Sequence, residues 1–256
     1  MVFPLPHELS DYTVDFLHDD RQALSTCGLV CRAWLSAVRH HRFSVTRVYG
    51  RLAPFIELLE LSPGIASFIG TLQLQGFPYP HVRRYEPVEL GSMLDRLPAL
   101  RHLGLTSVEL DAPLAATLTE NMSFRRISRL EIRWCAAQDA SDVVRLFTTP
   151  ALEHLEIDLP RCSSEDSDIG INLPTLNSLS IAGAQGTDYF SRQIAMGTHQ
   201  IRKLQALITW RMDGQLVAEM LRTLGEALEH LDINVNAETN LQGEFTHLSH
   251  ILFLVS

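Results

Sequence analysis

The chain has 256 residues, 46% of them hydrophobic and 20% charged, which is enough to bury a substantial core in one large or two modest units. Its formal charge of −9 is unevenly held: residues 1–50 carry five Arg against five acids, leaving 16 basic against 25 acidic side chains in residues 51–256. A body of that sign repels phosphate backbones and anionic lipid heads, which argues against nucleic acid or a membrane surface as the main partner.

The opening stretch MVFPLPHELSDY lacks a basic region leading into an apolar run, and no segment of about 18 apolar residues could span a bilayer. Cys27, Cys31, Cys135 and Cys162 have no paired zinc-knuckle spacing and read as reduced thiols, so a cytoplasmic or nuclear location is expected. Neither a metal site nor a cofactor is expected.

Residues 5–43 carry apolar side chains at helical spacing in three short pieces. Leu9, Val14 and Leu17 mark the first, Leu24 the second, and Leu29, Val30, Trp34 and Val38 the third. Pro6 suits an opening helical turn, and Asp19 or Asp20 can cap the helix that follows. A piece of about 40 residues is too small to be comfortable alone. The basic run Arg39, His40, His41 and Arg42 reads as a helix end favoured by the dipole rather than as an anion site.

From about residue 65 a different unit recurs: an apolar residue, two variable residues, Leu, one variable residue, then Leu or Ile. The copies are Ile69–Leu72–Leu74, Leu100–Leu103–Leu105, Ile127–Leu130–Ile132, Leu152–Leu155–Ile157, Leu176–Leu179–Ile181, Leu204–Leu207–Thr209 and Leu228–Leu231–Ile233, with Leu248–Ile251–Phe253 last. Successive middle leucines from Leu72 to Leu231 lie 31, 27, 25, 24, 28 and 24 residues apart. That matches the roughly 20–29 residues of leucine-rich repeats. Each copy alternates as a strand does. Between the copies, Leu90–Met93–Leu94, Leu114–Leu118–Met122, Val143–Val144–Phe147 and Leu216–Met220–Leu221–Leu224 predict helices, with Ser141 and Asp213 as caps. Such units cannot hide an apolar face alone and must stack. The predicted fold is therefore α/β: a short all-α module over 1–46, then a solenoid over 47–256 with a parallel sheet on one side. The last copy runs into Ser256 without a polar closing unit, so either a longer natural protein or an exposed, aggregation-prone end is expected.

With both halves read, residues 5–43 resemble an F-box, and the whole chain is similar to F-box proteins with degenerate leucine-rich repeats of fungal type. The match rests on Leu5 and Pro6, Glu8 and Leu9, Leu17, the string Leu29, Val30, Cys31, Arg32, Ala33, Trp34, and Phe43. The resemblance implies the substrate-recognition subunit of an SCF-type ubiquitin ligase, not an enzyme. Leu5, Pro6, Leu9, Val30, Cys31 and Trp34 would bind the adaptor, which leads indirectly to a cullin scaffold. The repeats would hold a target protein. On an outward sheet face the candidate target-binding residues are Glu131, Arg133, Glu156, Asp158, Ile208, Trp210 and Asp232, with Trp210 as aromatic anchor. The competing reading is a leucine-rich-repeat scaffold whose helical N-terminus caps the first repeat, with no ubiquitin link. A hydrolase is a distant third, for none of the phosphate-loop, nucleophile-elbow, metalloprotease or dinucleotide motifs occurs.

Overall fold

In the computed structural model, the described residues are 7–76, 82–147, 149–158, 161–162, 176–182, 201–208, 221–224 and 227–235. Leu5, Pro6, Trp210 and the last predicted copy of the repeat lie outside them.

Helices α1 (His7–Asp15), α2 (Arg21–Val30) and α3 (Arg32–Phe43) open the chain. Asp20 caps α2, its carboxylate accepting the backbone N–H groups of Gln22 and Ala23 at 2.9 Å each. Asp19 is not the cap. Leu29 and Val30, expected in the third helix, instead finish α2, because Cys31 adopts an extended conformation (φ −159°, ψ 163°) that breaks the helix between them and Trp34. A small core of Val14, Leu24, Cys27 and Val38 joins the three helices, with Leu17, Trp34 and Ala37 packed around it. His41 Nε2 meets Asp15 Oδ1 at 2.6 Å and ties the end of α3 to α1.

The body is mixed α/β. After β1 (Val45–Tyr49) come α4 (Ala53–Leu61), β2 (Thr71–Gln75), α5 (Pro87–Asp95), β3 (His102–Thr106), β4 (Glu109–Leu110), α6 (Ala112–Glu120), β5 (Arg129–Arg133), β6 (Ala136–Ala137) and α7 (Ala140–Phe147). Then follow β7 (His154–Asp158), β8 (Arg161–Cys162), β9 (Ser178–Ala182), β10 (Lys203–Ile208) and β11 (His230–Val235). Eight strands form one sheet in the order β1-β2-β3-β5-β7-β9-β10-β11, every pair parallel. The short β4, β6 and β8 form a second parallel ladder alongside.

Register puts the apolar positions of the repeated unit in rows. Leu72, Leu103, Leu130, Leu155, Leu179, Leu204 and Leu231 are successive partners across the sheet. A second row runs Val48, Leu74, Leu105, Ile132, Ile157, Ile181, Ala206 and Ile233. The first row from Leu72 to Leu204 and the second from Val48 to Ile181 share one core with Leu90, Met93 and Leu94 of α5, Leu114 and Leu118 of α6, and Val143 and Leu146 of α7, and Leu231 packs against it. A repeated hydrogen-bond pattern locks the step between units. The carbonyl just before each strand accepts two consecutive N–H groups of the next unit: Ser44 from Gly70 and Thr71, Gly70 from Arg101 and His102, Arg101 from Ser128 and Arg129. The same step continues through Ser128, Glu153, Asn177 and Arg202.

Four sequence expectations are corrected. The ladder begins one unit earlier than Ile69: Thr46 pairs with Leu72 and Val48 with Leu74, while Phe43 packs on the large core at the place Ile69 takes in the next unit. Thr46 stands where a leucine would make the pattern visible, and β1 straddles the boundary placed after residue 46. In β10 the unit is Ile201–Leu204–Ala206, because Leu204, not Leu207, pairs with Leu179 and Leu231. That register buries Ile201 and sets Ala206 opposite Ile181. Met122, assigned to a helix, lies beyond α6 and is exposed, and α7 is capped by Asp139, whose Oδ1 accepts the N–H of Ser141 at 2.8 Å.

Candidate functional site

Strand alternation leaves one sheet face for solvent, since the inner positions are filled by the rows above. On it lies an open cleft of about 410 Å³, bounded among others by Arg47 and Tyr49 of β1, Gln75 of β2, Arg133 of β5, Trp134, and Asp158 of β7. Four of the sequence-predicted residues, Glu131, Arg133, Glu156 and Asp158, meet here.

Glu131 is the electrostatic centre. It lies in β5 at a central position of the sheet and is only 5% exposed. Arg129 Nε donates to its Oε1 at 2.9 Å, and Arg133 Nη2 lies 3.6 Å from its Oε2. His102 Nε2 lies 2.9 Å from the same Oε1. The His102 ring and the Arg133 and Arg129 guanidiniums outweigh burial and hold the Glu131 carboxyl down to about 2. Arg133 Nε also donates to Glu156 Oε1 at 2.7 Å. The middle of the face is thus a paired, rigid charge network rather than a free acidic patch.

Its two ends differ. At β1, Arg47 Nε donates to the neutral Oε1 of Gln73 at 2.8 Å and is otherwise uncompensated among the described residues. Toward the other end Asp158 has no ion pair among the described residues, and burial lifts its carboxyl above the usual range, against the opposing pull of the Trp134 indole N–H. Asp232, farther along, is exposed and accepts from Gln205 Nε2 at 3.1 Å. The outward slot on β10 expected to hold Ile208 holds Gln205, opposite Ser180 and Asp232; Ile208 lies opposite Val235.

The aromatic group of the cleft is Trp134, which sequence reasoning passed over in favour of Trp210. Trp134 is 56% exposed and sits at φ 54°. Its place in the unit explains the backbone: Gly50, Gly76, Ser107 and Trp134 each follow the end of a main strand, and each donates its N–H to the strand-end carbonyl of the next unit, Gln75, Thr106, Arg133 and Asp158 respectively. Gly50 (φ 72°) and Ser107 (φ 54°) share the left-handed conformation. A bulky residue pays about 1–2 kcal/mol to adopt it. The signal available in the sequence was a tryptophan four residues after a repeat leucine, where two other units have glycine. Trp134→Gly should therefore remain within about 1 kcal/mol of wild-type stability, strain relief offsetting lost ring contacts. A fall in Tm of more than about 5 °C would show that the ring packs more strongly than its exposure implies.

The adaptor candidates lie apart from this face. Leu9 (52%), Val30 (61%) and Cys31 are exposed on the three-helix module, beside the exposed Tyr12, Phe16 and Leu29. Trp34 is half-buried against the small core. Cys135, read from sequence as a reduced thiol, donates to the Leu105 carbonyl at 3.4 Å, and burial pushes it up to about 12, so it is an inert structural group.

No known protein-family model matches the chain, and no curated protein matches it.

Proposed function

We propose that this protein is the substrate-recognition subunit of an SCF-type ubiquitin ligase: residues 1–46 form an F-box that binds the adaptor, and residues 47–256 form a leucine-rich-repeat solenoid that binds a target. One observation carries the reading. The N-terminal module closes a core of its own with Val14, Leu24, Cys27 and Val38 and still leaves Leu9, Tyr12, Phe16, Leu29 and Val30 in solvent. A module that small gains by covering such side chains with a partner. The resemblance assigns Leu5, Pro6, Leu9, Val30, Cys31 and Trp34 to that contact. Chain-ordered parallel strands with leucines in register support the repeat half. The role is to bring a target close to a conjugating enzyme in a set orientation, with the chemistry on other subunits.

The competing cap reading needs Leu9 and Trp34 against the repeats. Leu9 is instead open, and Trp34 belongs to the small core. What favours a cap is that the end of α3 meets the body at residues 63–68 and β1, with Phe43 packed on the large core.

Co-purification with the SCF adaptor tests the proposal. Wild type should be retained, and Leu9→Asp with Val30→Asp should weaken retention by more than about 30-fold, as loss of a buried apolar anchor at an interface does. Both positions are exposed, so the variant should keep its melting temperature. A wild-type protein that ignores the adaptor would remove the ligase reading.

A further inference from the structure

The main sheet opens on β1, and one side of that strand is bare. Val45, Thr46, Val48 and Tyr49 are β-branched or aromatic, the residue types that favour a strand. In a parallel ladder, alternate residues turn their N–H and C=O groups to opposite neighbours. Ser44 accepts from Thr71 and Gly50 donates to Gln75, so residues 44, 46, 48 and 50 serve β2. Val45, Arg47 and Tyr49 therefore point their backbone groups to the other side, and nothing among the described residues takes up those three N–H and three C=O groups. The side chains agree: Val45 is 47% and Tyr49 64% exposed, with Arg47 open between them. Such an edge is a template for another strand. A second copy fits it badly, because two β1 edges overlapping fully about a twofold axis would set Arg47 directly against its own counterpart, and like charges so placed destabilise a pair. Among the described residues Arg47 has no carboxylate partner, only the neutral Oε1 of Gln73 at 2.8 Å.

We propose that the free edge of β1 seats an extended segment of a partner protein as a further strand of the sheet, with Asp or Glu opposite Arg47 and apolar or aromatic side chains opposite Val45 and Tyr49. This deepens the target-binding half of the proposed function and rests on that reading for calling the partner a target. Backbone pairing supplies the affinity, and the three outward side chains supply the selection. Arg47 and Tyr49 also bound the cleft, so an added strand extends the cleft wall and leaves the network at Glu131 intact. The choice of an acidic segment is local to Arg47, since general attraction to a chain of net charge −9 would select the opposite sign.

The test is fluorescence anisotropy at low salt, using the full-length protein and labelled Thr-Val-Thr-Xaa-Thr-Val-Thr peptides in which the central residue is Glu or Lys. The Glu peptide should bind at least about fivefold more tightly than the Lys peptide, attraction in one and repulsion in the other adding. Arg47→Glu should invert that order. Tyr49→Pro removes an edge N–H without touching a bond to β2, so it should keep Tm within about 5 °C of wild type. It should also weaken the Glu peptide at least about tenfold, because the proline ring stands where the new strand would lie. A Glu peptide methylated on every backbone nitrogen cannot donate to the edge and should not bind, a result independent of how any variant folds. Equal binding of the Glu and Lys peptides, an order unchanged by Arg47→Glu, or full binding of the methylated peptide would overturn the proposal. So would a wild-type dimer in sedimentation that Tyr49→Pro disperses, by giving the edge to a second copy. Adaptor retention separates the two ideas: its persistence with failed peptide binding sinks only the edge seat, and its absence with intact peptide binding sinks only the ligase reading.

Discussion

Gly76→Ala is expected to destabilise the protein by at least about 3 kcal/mol, lowering Tm by roughly 6–12 °C for a chain of this size. The reason is a close approach. A Cβ on Gly76 would stand 2.0 Å from the backbone oxygen of Ser107 and 2.7 Å from Arg83 Cβ. The oxygen cannot yield cheaply, since it accepts the Arg83 N–H at 2.8 Å, and Gly76 itself donates to Thr106 at 2.8 Å. Relief would break the link between the main sheet and the segment that leads into α5. Gly50, at the equivalent place one unit earlier, makes a sharp control: it has a left-handed φ of 72° but nothing within 4 Å of an added Cβ. Gly50→Ala should therefore cost only about 1–2 kcal/mol of conformational strain. Thermal or urea unfolding that finds the two variants alike would mean that the approach at Gly76 relaxes easily and that the second ladder is not rigid.

Glu131 supplies the other large effect. Its carboxyl is held at about 2 against an ordinary 4.5, so the charged form stabilises the fold, by roughly 3 kcal/mol. The folded-state value is the lower one. The contribution is accordingly complete above about pH 4.5 and is lost as pH falls from there toward 2. Glu131→Gln keeps the shape and removes the charge, leaving the cations of Arg129 and Arg133 facing one another across the middle of the sheet face. It should cost about 2–3 kcal/mol at pH 7 and flatten the stability profile between those two pH values. Urea titrations of both proteins at several pH values measure this. A variant whose stability still falls as steeply in acid would assign the effect to other carboxylates.

These two expectations show what kind of object the outward face is. Glu131 fixes a paired network in its centre, and the Gly50, Gly76, Ser107, Trp134 row turns the chain at its edge.

Much of the architecture could be read directly from residue order. Leucine at the middle of successive units, about 25 residues apart, with strand alternation around it, leaves no other way to bury each apolar face than parallel stacking. Helices α5 and α7 were legible for the same reason, being amphipathic stretches between the copies. So were Glu131, Arg133, Glu156 and Asp158, which alternation places outward in adjacent strands once the units are aligned.

The remainder needed tertiary contact. β1 carries no repeat signal because Thr46 occupies a leucine position, and only its pairing with Leu72 makes it a strand of the ladder. The register of β10 is ambiguous over three residues in sequence, since Leu204 and Leu207 both satisfy the local pattern; burial of Ile201 and the pairing of Leu204 with Leu179 choose between them. Trp134 carries no periodic signal, because it stands just past the strand, where hydrogen bonding to the neighbouring unit, not hydrophobicity, sets the backbone. Local pattern thus determined which residues form units and which faces they bury. How each unit meets its neighbour, and therefore which polar and aromatic groups share a cleft, was decided by long-range hydrogen bonds and packing that a single unit does not contain.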